Sequence, residues 1–141
     1  MPDEHASWTV RFDRDGFLLV PDFLADSQLR PLREALDRIT ANVATQEAAL
    51  RAKILLEREH VINFPDRYHD VITPEACGDS VRTIAEIALF DPVFARLICA
   101  DALLDVLEVL FASTEFSFNL DYALPKPARV GLPPQSYRNC C

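Results

Sequence analysis

The chain has 141 residues, half of them apolar and only 3 of them glycine, which is the composition of one globular, core-bearing domain rather than a disordered or fibrous chain. Its net charge of −8 speaks against unassisted binding to nucleic acid or an anionic membrane, since both call for a basic surface. The four cysteines (Cys77, Cys99, Cys140 and Cys141) lack the paired spacing of a zinc site and fit a reduced, cytoplasmic setting.

The opening MPDEHASW carries neither a basic nor an apolar signal segment. Residues 1–10 are expected to fray, with Trp8 and Val10 as anchors. Asp15-Gly16 is a turn signal, and Phe17-Leu18-Leu19-Val20, stopped by Pro21, reads as a short buried strand. Asp26 or Ser27 is expected to cap the next helix, with Pro31 near enough to its start to be tolerated. Leu29, Leu32, Leu36 and Ile39 give that helix one apolar stripe, and Arg30, Arg33, Asp37 and Arg38 its solvated face.

From Ala41 to His60 the residues are strong helix formers, which predicts a second helix. Val61 to Gly78, interrupted by Pro65 and Pro74, reads as a long connecting loop. A helix capped by Asp79 or Ser80 is expected through Val81, Ile84, Ile87 and Ala88. Asp91-Pro92 announces another, burying Val93, Phe94, Leu97 and Ile98. Asp101 should cap a third piece bearing Leu103, Leu104, Leu107 and Leu110. No apolar run reaches the roughly 18 residues of a membrane-spanning helix, because Asp101, Asp105 and Glu108 interrupt the longest candidates.

The last stretch alternates with period two. Phe116, Phe118, Leu120, Tyr122 and Leu124 fall on one face, and Ser117, Asn119, Asp121 and Ala123 on the other. That spacing predicts a half-buried strand, followed by a loop holding Pro125, Pro127, Pro133 and Pro134. In an open sheet the polar face would meet water; in a closed barrel it would line a cavity.

Few constellations carry chemistry by spacing alone. His60, Asp66 and His69 are the residue types of a non-haem iron site, but their spacing matches no such motif, and polar residues are ordinary in a loop. Glu57, Glu59, Asp101, Asp105 and Glu108 read as helix caps and solvated faces. Cys99 reads as core filler on its helix, and three glycines cannot build a phosphate loop.

Two blocks carry a resemblance. FDRDGFLLVPDFLADSQLRPLREALDRI and DPVFARLICADALLDVLEVLFASTEFSFNLDYALPKP, in that order, resemble the opening of the phytanoyl-CoA dioxygenase family. The resemblance implies an α+β chain: a helical part and the first strands of a double-stranded β-helix, or jelly roll, with the barrel incomplete over this length. It implies one partial dioxygenase-like domain over 1–141, with 1–112 mainly helical around one early strand, and 113–141 a strand plus a proline-rich tail. It further implies iron(II), 2-oxoglutarate and hydroxylation of a small organic substrate. The residues it offers for 2-oxoglutarate are Asn119 and Lys126, with Arg82 as a further carboxylate contact.

Where the family reads roughly Gln-x-x-His-x-Asp, this chain has Gln135-Ser136-Tyr137-Arg138-Asn139-Cys140. Arg138 stands in place of the histidine and Cys140 in place of the aspartate, and a guanidinium cannot coordinate iron. The expectation is therefore an N-terminal portion of such an enzyme, with no residue of this chain assigned to metal and no turnover by the chain alone. The other reading is a small helical interaction module without catalysis, whose leucine stripes pack together or on a partner. Both readings leave self-association through exposed apolar surface open.

Overall fold

The computed structural model describes residues 2–65, 72–115 and 117–125. In chain order the elements are α1 (Pro2–Asp15), α2 (Asp26–Ala41), a 3₁₀ turn (Val43–Thr45), α3 (Ala48–Arg51), β1 (Ile54–Leu56) and α4 (Glu57–Asn63). They continue with α5 (Pro74–Cys77), β2 (Val81–Ala85), a second 3₁₀ turn (Ile87–Leu89), α6 (Pro92–Ile98), α7 (Asp101–Phe111) and β3 (Tyr122–Ala123). The class is α+β: helices and one three-stranded antiparallel sheet, in the order β1-β2-β3. The chain divides into two compact units, a helical one over 1–37 and 91–119 and a sheet-bearing one over 38–90 and 120–141.

In the helical unit, residues expected to fray form α1 instead. Packing explains this: α1 lies against α7, and the Thr9 hydroxyl donates to the Val109 carbonyl at 3.4 Å. An isolated helix of this length is marginal, and tertiary contact makes up the deficit. Gly16 ends α1 with φ +75°, its N–H donating to Phe12 O at 2.8 Å, so the turn signal at Asp15-Gly16 marks a helix stop. The expected strand over 17–20 is absent. That segment belongs to no ladder, and Phe17 and Leu19 stand largely exposed.

The apolar stripe of α2 is present, with Ala35 and Ile39 buried and Leu29, Leu32 and Leu36 half-buried. Its start is closed by neither Asp26 nor Ser27. Gln28 Oε1 instead accepts the Ala25 N–H at 3.0 Å, while Ala25 O accepts Gln28 N and Leu29 N, the returning half of a capping box. The helix start predicted at Asp91-Pro92 is present, Asp91 Oδ1 accepting Val93 N–H at 2.9 Å, but of its expected buried side only Phe94 is buried, with Val93, Leu97 and Ile98 half-buried. At α7, Ala100 occupies the cap position, and Asp101 serves as first-turn charge rather than as cap. Cys99, expected in the core, is exposed.

The sheet-bearing unit departs further from expectation. The predicted helix over 41–60 is broken by β1, and the predicted helix through 81–88 is the strand β2. Ile54 pairs with Ile84, Leu55 with Thr83 and Leu56 with Val81. One step on β1 therefore spans two on β2, which makes Arg82 the extra residue of a β-bulge. The bulge explains the misleading pattern: Val81 and Ile84 are both buried at a spacing of three, a helical spacing that a regular strand would place on opposite faces. The core of this unit contains Ile54, Leu56, Val81, Ile84 and Ile87, with Val61 and Cys77 packed together beside Ile72.

The final strand is shorter than its alternation suggests. Only Tyr122 and Ala123 join the ladder, opposite Ala85 and Ile84. Its faces are also inverted: Leu120, Tyr122 and Leu124 are exposed, while Asp121 and Ala123 are half-buried. The position expected to lead the apolar face, Phe116, and the proline-rich tail beyond Pro125 lie outside the described residues.

Candidate functional site

Buried polar groups gather where α4 meets β2. Glu57 opens α4, and its N–H donates to Ser80 O at 2.9 Å. Its carboxylate, 12% exposed, accepts Arg82 Nη1 at 3.0 Å. The bulge turns Arg82 out of the ladder register and toward this helix start. Burying a charge is costly unless it is paired, so each of these side chains makes the other tolerable. The reading of Glu57 as a solvated cap is thus corrected.

One turn along α4, His60 is buried with its ring 4.7 Å from that of Phe64. Cys77, on α5, is buried with its Sγ 3.4 Å from Thr73 O. Burial pushes the Cys77 thiol up, and the carboxylates of Glu57 and Glu75 push it further. A thiol held protonated is a poor nucleophile. Short helix α5 is itself closed by Thr73, whose Oγ1 accepts Ala76 N–H, with Pro74 in the first turn.

Around this cluster, ion pairs fasten helix to sheet. Glu59 Oε2 accepts the Leu56 N–H at 2.8 Å, and its Oε1 meets Arg51 Nη2 at 2.7 Å. Arg51 also donates to Ile54 O at 2.8 Å. Burial opposes ionisation of Glu59, but the Leu56 N–H and the Arg51 guanidinium outweigh it and hold the carboxyl below its usual range. Lys53 Nζ reaches Glu86 Oε1 at 2.6 Å.

The residues offered for 2-oxoglutarate are distributed as follows. Arg82 is on β2 in the sheet-bearing unit, its guanidinium engaged by Glu57. Asn119 is exposed in the segment before β3 and belongs to the helical unit. Lys126 lies outside the described residues, as do Asp66 and His69 of the His60, Asp66 and His69 set. Among the described residues, no three His, Cys, Asp or Glu side chains converge as metal ligands.

Two roles escaped the sequence reading. The pairing of Glu57 with Arg82 depends on a bulge, for which spacing gives no signal. Asp121, read as a polar-face residue, instead caps the 3₁₀ turn after β2, with Oδ2 accepting Ala88 N–H at 2.8 Å. An Asp in a strand next to a turn is the only hint, and it does not name the turn. The described cluster is thus suited to joining α4 to the sheet and to keeping a thiol neutral. Among the described residues, no helix is long and apolar enough to cross a membrane. No family model, curated protein or solved structure matches the chain.

Proposed function

We propose that this chain is the N-terminal portion of an iron(II)- and 2-oxoglutarate-dependent dioxygenase of the phytanoyl-CoA dioxygenase type, a jelly-roll enzyme acting on a small organic substrate. The observation that carries this reading is the order of the two resembling blocks: DGFLLVPDFL with its amphipathic helix, then DPVF through the strand that ends in Leu124-Pro125-Lys126-Pro127. The helical part of the element order supports it, although the strand expected over 17–20 in the first block is absent. A helix follows the first block (α2), a helix pair begins at Asp91-Pro92 (α6 and α7), and β3 comes next at the margin of an antiparallel sheet. A margin strand is where a sheet grows into a larger one.

The metal does not fit the residues present. The described residues gather no set of three ligands, and Arg138 and Cys140 occupy the positions of the family's His-x-Asp. No catalytic step is therefore assigned to the described residues or to Arg138 and Cys140, and the role proposed for them is scaffold. Arg82 is weakened as a 2-oxoglutarate contact, because Glu57 already answers its charge. Asn119 and Lys126 remain the residues to test.

The decisive experiment is to sequence the DNA downstream of the Cys141 codon and translate it in all frames. A His-x-Asp followed by a distal His and Arg is the expected result; their absence from every frame overturns the reading. Purified chain supplied with iron(II) and 2-oxoglutarate should release no succinate above a metal-free control. Dependent release would contradict the scaffold assignment.

A second reading, self-association, draws on the exposure of Phe17, Leu19, Phe118, Leu120 and Tyr122, since exposed apolar surface favours association. Sedimentation of the chain across a concentration series separates a discrete monomer from an associating species.

A further inference from the structure

We infer that β3 is a releasable strap, latched to the sheet by Asp121 rather than fixed by ladder pairing or burial. Its ladder pairing covers only Tyr122 and Ala123. Its side chains bury little, with Leu120, Tyr122 and Leu124 each about half exposed. Among the described residues, additional hold comes from Asp121. Asp121 O accepts the Glu86 N–H at 2.8 Å, and Asp121 Oδ2 accepts the Ala88 N–H at 2.8 Å. Main chain and side chain of Asp121 thus grip the same turn.

That turn is built for the grip. Glu86 takes a left-handed conformation, φ 51°, which a residue with a Cβ adopts only under local constraint. Its side chain is drawn to Lys53 of the β1 side at 2.6 Å, while its N–H points to β3. The neighbouring amide points the other way: Ala85 N–H donates to Lys53 O at 2.9 Å. Adjacent residues therefore report on opposite sides of β2. On the β1 side, Ile54 and Leu56 are buried against β2, whereas on the β3 side Tyr122 is half exposed and Ala123 only half-buried. Opening free energies differ across a structure in this way when one element carries few buried contacts. Release of the strap leaves β1 and β2 paired and bares the β2 edge at Ile84 and Ala85.

The test is native-state amide hydrogen exchange, resolved by residue, on the complete chain. Glu86 and Ala88 amides should exchange together and faster than those of Ala85 and Glu57, whose acceptors (Lys53 O and Ser80 O) lie away from β3. Asp121→Ala should accelerate Ala88 by roughly fivefold to tenfold, the effect of losing one hydrogen bond. Glu86 should accelerate with it, while Ala85 and Glu57 stay within about twofold, a stability margin of a few tenths of a kcal/mol. Asp121→Asn, which keeps an acceptor oxygen, should restore most of the protection. A common exchange rate for all four amides in the unaltered chain overturns the strap, and that comparison stands even if Asp121→Ala does not fold. Equal acceleration of all four amides by Asp121→Ala overturns it too.

Discussion

The two units are built on different terms. The whole of the net charge of −8 falls in the helical unit, whereas acidic and basic residues balance in the sheet-bearing unit. Burial divides the other way. Among the described residues, the helical unit buries Ala35 and Phe94, while the sheet-bearing unit buries Ile39, Val43, Ile54, Leu56, Val61, Cys77, Val81, Ile84 and Ile87 together with Glu57 and His60. Helix α7 shows the contrast sharply: it is the more apolar kind of helix by sequence, yet none of its residues is fully buried. Amphipathic helices give readable stripes without a deep core, and a small sheet gives a deep core without readable stripes.

The largest test of this contrast is truncation at matched sites. Ile84→Ala, at a position fully shielded from solvent, should cost about 3 kcal/mol, the transfer and cavity cost of a large buried aliphatic side chain. Leu107→Ala, on half-buried α7, should cost about 1 kcal/mol, because less apolar area is lost. Urea denaturation monitored by circular dichroism measures both, and equal losses would erase the distinction between the units.

Next in size is the Glu57–Arg82 pair. Glu57→Ala should cost about 2 kcal/mol, below the full value for a buried pair because Arg82 remains 29% exposed. The double change Glu57→Leu with Arg82→Leu should recover most of that loss in the same assay. A double variant as unstable as the single one would show that packing, not charge pairing, joins α4 to β2.

A smaller effect, in the opposite direction, is expected in the helical unit. Ala112 closes α7 in the left-handed region at φ 48°, where glycine carries no Cβ strain. Ala112→Gly should raise stability by about 0.5 kcal/mol, read as a later urea midpoint.

The pH dependence belongs to the sheet-bearing unit. The Cys77 thiol is raised above its ordinary 9.0 in the folded chain. Its contribution is complete below that value and is lost as pH rises through the folded pKa, because the unfolded thiol ionises first. Glu59 is lowered, so its contribution is complete above the ordinary carboxylate range and is lost as pH falls through the folded pKa. Cys77→Ala should flatten the alkaline limb of a stability–pH profile, and Glu59→Gln the acid limb. Peptide-resolved thiol labelling of the native chain should modify Cys99 and spare Cys77.

What could be read from residue order follows the same division. Gly16, the stripe of α2 and the Asp91-Pro92 start are local devices: each works through bonds or contacts a few residues away, so each was legible. The helix–strand reversals at 54–56 and 81–85 were not. Ile54-Leu55-Leu56 sits among strong helix formers, and the spacing of Val81, Ile84 and Ile87 imitates a helix because the bulge at Arg82 shifts the strand's faces. The candidate site shared that fate, since Glu57 meets Arg82 across 25 residues of chain. Asn119, Lys126 and Arg82 were placed by resemblance; the structure gives Arg82 a partner and leaves Asn119 exposed.

By itself, then, the sequence determined local devices such as the stop at Gly16 and the start at Asp91-Pro92, the sign of the charge and the absence of any long apolar run, because short-range bonding and composition decide these. Tertiary structure alone decided that β2 is a strand, that Glu57 is buried and that Asp121 grips the turn at Glu86. Each of those depends on which distant segment lies alongside, and periodicity within one segment does not contain that information.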